Sequence, residues 1–128
     1  MPVRKPAKKI TAKLSAASVR TRKGIATEAL RRKGFLQMCA DAGLEAPDCD
    51  VEFALPRKFR FDFCWWIHSV ALESDGNGRH TRWAGFRRDQ EKTNEAAIRG
   101  FSVLRVPSSE LCTDATIVLV KRALEARR

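Results

Sequence analysis

From about Ile25 to Gly43 the apolar positions Leu30, Phe35, Leu36 and Met38, with several alanines, recur at helical spacing. Gly24 and Gly34 weaken the end and middle of this helix, and Gly43 is a natural stop. After a loop at 46–50 (APDCD) the period shortens to two, which predicts strands. In VEFAL (51–55), Val51, Phe53 and Leu55 fall on one side and Glu52 and Ala54 on the other. In KFRFDFCWW (58–66), Phe59, Phe61, Phe63 and Trp65 face one way, and Arg60, Asp62, Cys64 and Trp66 the other. In SVALESD (69–75), Val70 and Leu72 oppose Ala71, Glu73 and Asp75. The short connection Ile67-His68-Ser69 joins the second and third runs as a hairpin.

A Gly-rich loop (76–85) leads into a predicted helix over 86–99, which Gly100 stops. FSVLRV (101–106) reads as a further strand ended by Pro107. A last helix, capped by Ser108 or Ser109, runs through Ile117, Leu119, Val120 and Leu124. The order α-β-β-β-α-β-α predicts a three-layer α/β sandwich around a mixed central sheet. Of the adjacent Trp65 and Trp66, which end a strand on opposite faces, at least one is expected in the core.

Charge changes this picture mainly at one end. The chain carries +10, and residues 1–24 supply eight Lys or Arg and no acid, while the remainder is nearly balanced. That divides 128 residues into a flexible basic arm (1–24) and one domain (25–128), with nucleic acid as the expected partner of the arm. No apolar run approaches the roughly 18 residues of a membrane span. The N-terminus lacks the apolar core of a secretory signal, and it is basic without the amphipathic stripe of a transit peptide. The expectation is a cytoplasmic protein with free thiols. Cys39, Cys49, Cys64 and Cys112 form no C-x-x-C pair, and Cys64 and Cys112 look like core residues.

The chemistry is concentrated in three acids inside strand runs. Glu73 and Asp75 share one strand face, and the hairpin brings Asp62 across from them. Three carboxylates converging at a sheet edge repel one another, and a divalent cation removes that cost; an all-oxygen set favours Mg²⁺ or Mn²⁺. Such an ion polarises a phosphate and generates hydroxide at neutral pH, which suits phosphodiester hydrolysis. Other readings stay open for two of the acids: Asp62 as a buried partner of Arg57 or Arg60, and Asp75 as a turn residue in SDGNG. No turn or cap requires Glu73. Arg79, Arg82, Arg87 and Arg88 surround the acids, with Trp83 between them as a stacking surface for a base or sugar, or as a loop anchor.

Five segments, in order, resemble the PD-(D/E)xK (restriction-endonuclease-like) nuclease superfamily: RFDF (60–63), LESDG (72–76), GRHTR (78–82), and DQEKTNEAAIRG followed by FSVLRV (89–106). More narrowly they resemble phage and prophage endonucleases of the very-short-patch repair and Holliday-junction-resolvase-like type, over about residues 25–125. The resemblance implies a Mg²⁺-dependent endodeoxyribonuclease, with DNA as partner and a homodimer as the frequent state of relatives. It makes Asp62 and Glu73 the metal ligands, with Glu28 at a position where the superfamily often adds a carboxylate. Asp75 stands where the superfamily usually has a water-orienting lysine, and could act as a further ligand. Lys92, on the following helix, then supplies the positive charge, unless it only pairs with Asp89 or Glu95 on a solvated face. His80, in the loop after the acidic strand, is a candidate general base, ligand or phosphate contact. The rival functions are a non-catalytic DNA-binding module on the same fold and an RNA-processing nuclease.

Overall fold

The computed structural model describes the backbone of residues 18–76 and 83–127, with side chains from Thr27 onward. The basic segment 1–17 and the loop that carries Arg79, His80 and Arg82 lie outside the described residues. The elements are α1 (Ser18–Asp41), β1 (Asp48–Glu52), β2 (Arg60–Trp65), β3 (Val70–Asp75), α2 (Trp83–Ile98), β4 (Ser102–Pro107) and α3 (Asp114–Ala126). Short 3₁₀ turns occupy Trp66–His68 and Ser108–Glu110. The predicted order of helices and strands is therefore found.

The sheet runs β1-β2-β3-β4, antiparallel except for β4, which lies parallel to β3. A parallel neighbour needs a crossover, and α2 provides it. On one face, Phe35 and Cys39 of α1 and Ile117, Val120 and Leu124 of α3 bury Phe63, Trp65, Val70 and Leu72. On the other, Ala96 of α2 joins Val51, Phe53, Phe59, Phe61 and Ala71. Among the described residues no helix is long and apolar enough to cross a membrane.

One expectation about the faces is overturned. Phe61 and Phe63 lie on opposite sides of the sheet: Phe61 stacks on Phe53 with ring centroids 3.8 Å apart, and Phe63 packs on Phe35 at 4.6 Å. Their partners on β1 divide in the same way, Val51 toward α2 and Cys49 toward α1. Both strands change face at the facing pair Asp50 and Asp62, where Asp50 takes the left-handed conformation (φ 51°). Simple alternation cannot show this, because one residue in that region shifts the phase of everything beyond it.

Other boundaries moved for local reasons. α1 begins at Ser18, ahead of Ile25, since the Arg- and Lys-rich residues before Gly24 are good helix formers. β1 starts at Asp48, inside the predicted loop, because backbone pairing with β2 outweighs the poor strand propensity of aspartate. α3 is capped by Thr113, whose Oγ1 accepts the Thr116 N–H at 3.3 Å; Ser108 and Ser109 sit in the 3₁₀ turn instead. Between them Leu111 is buried in the core.

The thiols also divide differently. Cys39 and Cys64 are buried, and burial pushes them up to about 11 and about 12. Cys112, expected inside, is exposed and donates to the Arg31 carbonyl at 3.1 Å. A side chain at Gly34 would come within 3.3 Å of its sulfur, so the glycine inside α1 permits this close approach. Trp65 is the core tryptophan, its indole donating to the Glu45 carbonyl at 2.9 Å; Trp66 is half-buried and donates to Asp48 Oδ2 at 3.0 Å.

Candidate active site

The β2–β3 ladder is regular from Trp65↔Val70 to Phe63↔Leu72. One step further the register sets Asp62 against Glu73, and there a side chain replaces the ladder: Asp62 Oδ2 accepts the Ser74 N–H at 2.7 Å. A short backbone bond to a carboxylate is charge-assisted and fixes its direction. The arginines considered as partners for Asp62 are committed elsewhere. Arg57 binds Glu91 at 2.7 Å, while Arg60 holds Asp50 at 3.1 Å and Glu52 at 2.9 Å. Among the described residues Asp62 has no ion-pair partner.

Glu73 is 7% exposed, the one buried carboxylate among the described residues. Its Oε1 receives the Lys92 ammonium, which also lies 5.9 Å from the centre of the Phe61 ring. Desolvation pushes the Glu73 pKa up to about 7; Lys92 opposes the rise and the neighbouring Asp62 adds to it. Asp62 lines the same cleft as Glu73, and two ionised carboxylates so placed repel each other. Lys92 does not pair with Asp89 or Glu95. Asp89 binds Arg105 at 3.1 Å and Glu95 binds Arg99 at 2.9 Å.

The third acid is placed differently. Asp75 has both oxygens on Arg105, at 3.0 Å to Nε and 3.2 Å to Nη2. Among the described residues no three ligand-type side chains gather in one place. Of the three acids, Asp62 and Glu73 line one cleft.

Asp62 borders two cavities. The one toward α2, about 630 Å³, includes Glu73, Lys92, Lys58 and Arg88 in its wall. The one toward α1, about 440 Å³, includes Glu28, Arg31, Arg32 and Ser74. Glu28 therefore reaches Asp62's surroundings from the side opposite Lys92. Arg88 lies over the Phe59 ring at 5.0 Å, and Arg87 is exposed, 3.7 Å from Glu91. Trp83 is 73% exposed, 6.2 Å from the Phe86 ring, so it is not a loop anchor packed in the core.

Arg105, Lys58, Arg31 and Arg32 were not legible as site residues. The signal for Arg105 was a cation inside FSVLRV, and its partners depend on the β3–β4 register, which no local pattern gives. No family model, curated protein or solved structure matches the chain.

Proposed function

We propose that the chain is a metal-dependent nuclease of the PD-(D/E)xK type that hydrolyses DNA phosphodiester bonds. The observation that carries this reading is the buried Glu73, in contact with Lys92 and beside an Asp62 that has no ion-pair partner among the described residues. A structural ion pair would need only Glu73 and Lys92. The second carboxylate adds repulsion, with no cationic side chain paired to it among the described residues, and a cation bound from solvent offsets it.

The donor set fits that role. Asp62 and Glu73 offer oxygen only, and Mg²⁺ or Mn²⁺ is commonly held by one or two carboxylates with water and phosphate completing the shell. When bound, such an ion supplies polarisation of the scissile phosphate and a more acidic water. The protein contributes the rest. The Ser74 N–H directs Asp62, and the apolar surroundings of Glu73 strengthen local electrostatics. The Lys92 ammonium lies on the Glu73 side of the cleft, where it can orient a water or meet the negative phosphate. Lys58 and Arg88 line the same cleft and can neutralise neighbouring phosphates, in keeping with a chain of net charge +10. Asp75 and Glu28 are second-choice ligands on this reading: Asp75 is bound to Arg105, and Glu28 approaches from the α1 side.

The test is cleavage of single-stranded, duplex and branched DNA, and of RNA, with Mg²⁺ or Mn²⁺. Asp62→Ala and Glu73→Ala should each reduce the rate by on the order of 10³-fold, the equivalent of about 4 kcal/mol. Cleavage that survives in both variants overturns the site. DNA binding by a wild-type protein that cuts nothing marks a non-catalytic DNA-binding module, and cutting of RNA alone moves the substrate class.

A further inference from the structure

Arg105 stands directly beside Glu73 in the parallel β3–β4 register. Both residues line a small crevice together with Lys92 and Phe61. A guanidinium so placed has a carboxylate opposite it, yet it binds two others. Its Nε and Nη2 hold Asp75 at 3.0 and 3.2 Å, and Nη2 also holds Asp89 at 3.1 Å. Asp75 follows Glu73 by two positions on β3, and Asp89 precedes Lys92 by three on α2, so each lies on the same face as its neighbour. One guanidinium therefore ties the strand that carries Glu73 to the helix that carries Lys92.

We infer that Asp75 and Asp89 are positioning residues acting through Arg105: they hold its guanidinium off Glu73 and fix α2 where Lys92 reaches that carboxylate. The catalytic meaning of this arrangement rests on the nuclease reading; the geometry itself does not. It gives Asp75 a task other than metal ligation, since both its oxygens are occupied. If either aspartate is neutralised, Arg105 loses part of its anchorage, and Glu73 is the adjacent anion. There it displaces Lys92 and neutralises the acid that the cation site needs. Removing Arg105 in the same chain removes the competitor, so a second substitution should repair the first.

The variants are Asp75→Asn and Asp89→Asn, each alone and each combined with Arg105→Gln, all in the full chain. Two readouts are taken: single-turnover cleavage with Mg²⁺ across DNA concentrations, and the rate of reductive methylation of Lys92 without metal or DNA, followed by mass spectrometry. Each single variant should lower kcat by about 10–100-fold with little change in KM, as loss of a supporting contact commonly does. Each should also methylate faster at Lys92. Each double variant should regain most of the rate and of the protection. Double variants as slow as the singles, with Lys92 protected throughout, overturn the inference and return Asp75 to a direct role. If Asp75→Asn does not fold, the Asp89→Asn pair decides, because that substitution leaves the strand unchanged. If the wild type cuts no nucleic acid, the nuclease reading fails while methylation still tests the positioning.

Discussion

Two ionic networks lie on the α2 face of β3, with their strand acids two residues apart, and water separates their behaviour. The inner one joins Asp62, Glu73 and Lys92; the outer one joins Asp75, Asp89 and Arg105. Each contains two carboxylates and one cation, so their formal charges are equal. In the outer network the side chains of Arg105 and Asp75 are about a third exposed, and hydrogen bonds to Asp75 and Asp89 outweigh burial and hold the guanidinium above its ordinary pKa. Geometry and solvent together complete that site. In the inner network burial outweighs Lys92, and Glu73 is held at about 7. The same balance of charge thus makes a solvated strap in one place and a carboxylate held above its ordinary pKa in the other, and desolvation is the main difference.

The sharpest way to break this contrast is to remove the buried charge. The pKa of Glu73 is about 7 in the fold against an ordinary 4.5, so the native state binds the proton more tightly. Its favourable contribution is complete below pH 4.5 and is lost as pH rises through 7. Metal-free Glu73→Gln should therefore match the wild type near pH 4.5 and exceed it at pH 8 by up to roughly 3 kcal/mol, read from urea midpoints. Added Mg²⁺ should then stabilise the wild type alone. Equal pH profiles for the two proteins would show that burial does not oppose the Glu73 charge.

Lys92→Met is a smaller perturbation with the opposite sign. It should cost about 1–3 kcal/mol at pH 8, less than a fully buried pair, because Glu73 can protonate instead. The cost should fade toward pH 5, where the protonated carboxyl needs no cation; a loss unchanged at pH 5 would assign Lys92 to packing against Phe61. At the far end of the scale, Glu95→Ala removes a partly exposed pair with Arg99, one residue past the end of α2. It should change stability by about 0.5 kcal/mol or less at any pH.

Much of this architecture was legible in the chain. Period-two runs gave the three consecutive strands and the hairpin, and the hairpin register set Asp62 against Glu73. What escaped depended on distant partners. The exchange of faces at Asp50 and Asp62 accompanies a left-handed residue on β1, and an alternating pattern reads straight through it. The partner of Asp75 depends on where β4 docks against β3, after a crossover of more than twenty residues. Lys92 could be placed on the right helix face, but only the packed structure shows that Glu73, and not Asp89 or Glu95, receives it. Cys112 reads as core because cysteine is a small apolar residue and follows Leu111, whereas the turn before α3 brings it outward against Gly34.

The change of face in the first two strands has a topographic consequence. A four-stranded sheet covered by helices divides a small protein into two compartments, and most side chains belong to one or the other. Asp62 belongs to both, bordering the hollow beneath α1 and the cleft beside α2. It stands where the pairing of β2 with β3 stops, like a post in a doorway. Whatever occupies either hollow meets the same carboxylate, one that the backbone of the next strand already holds in place.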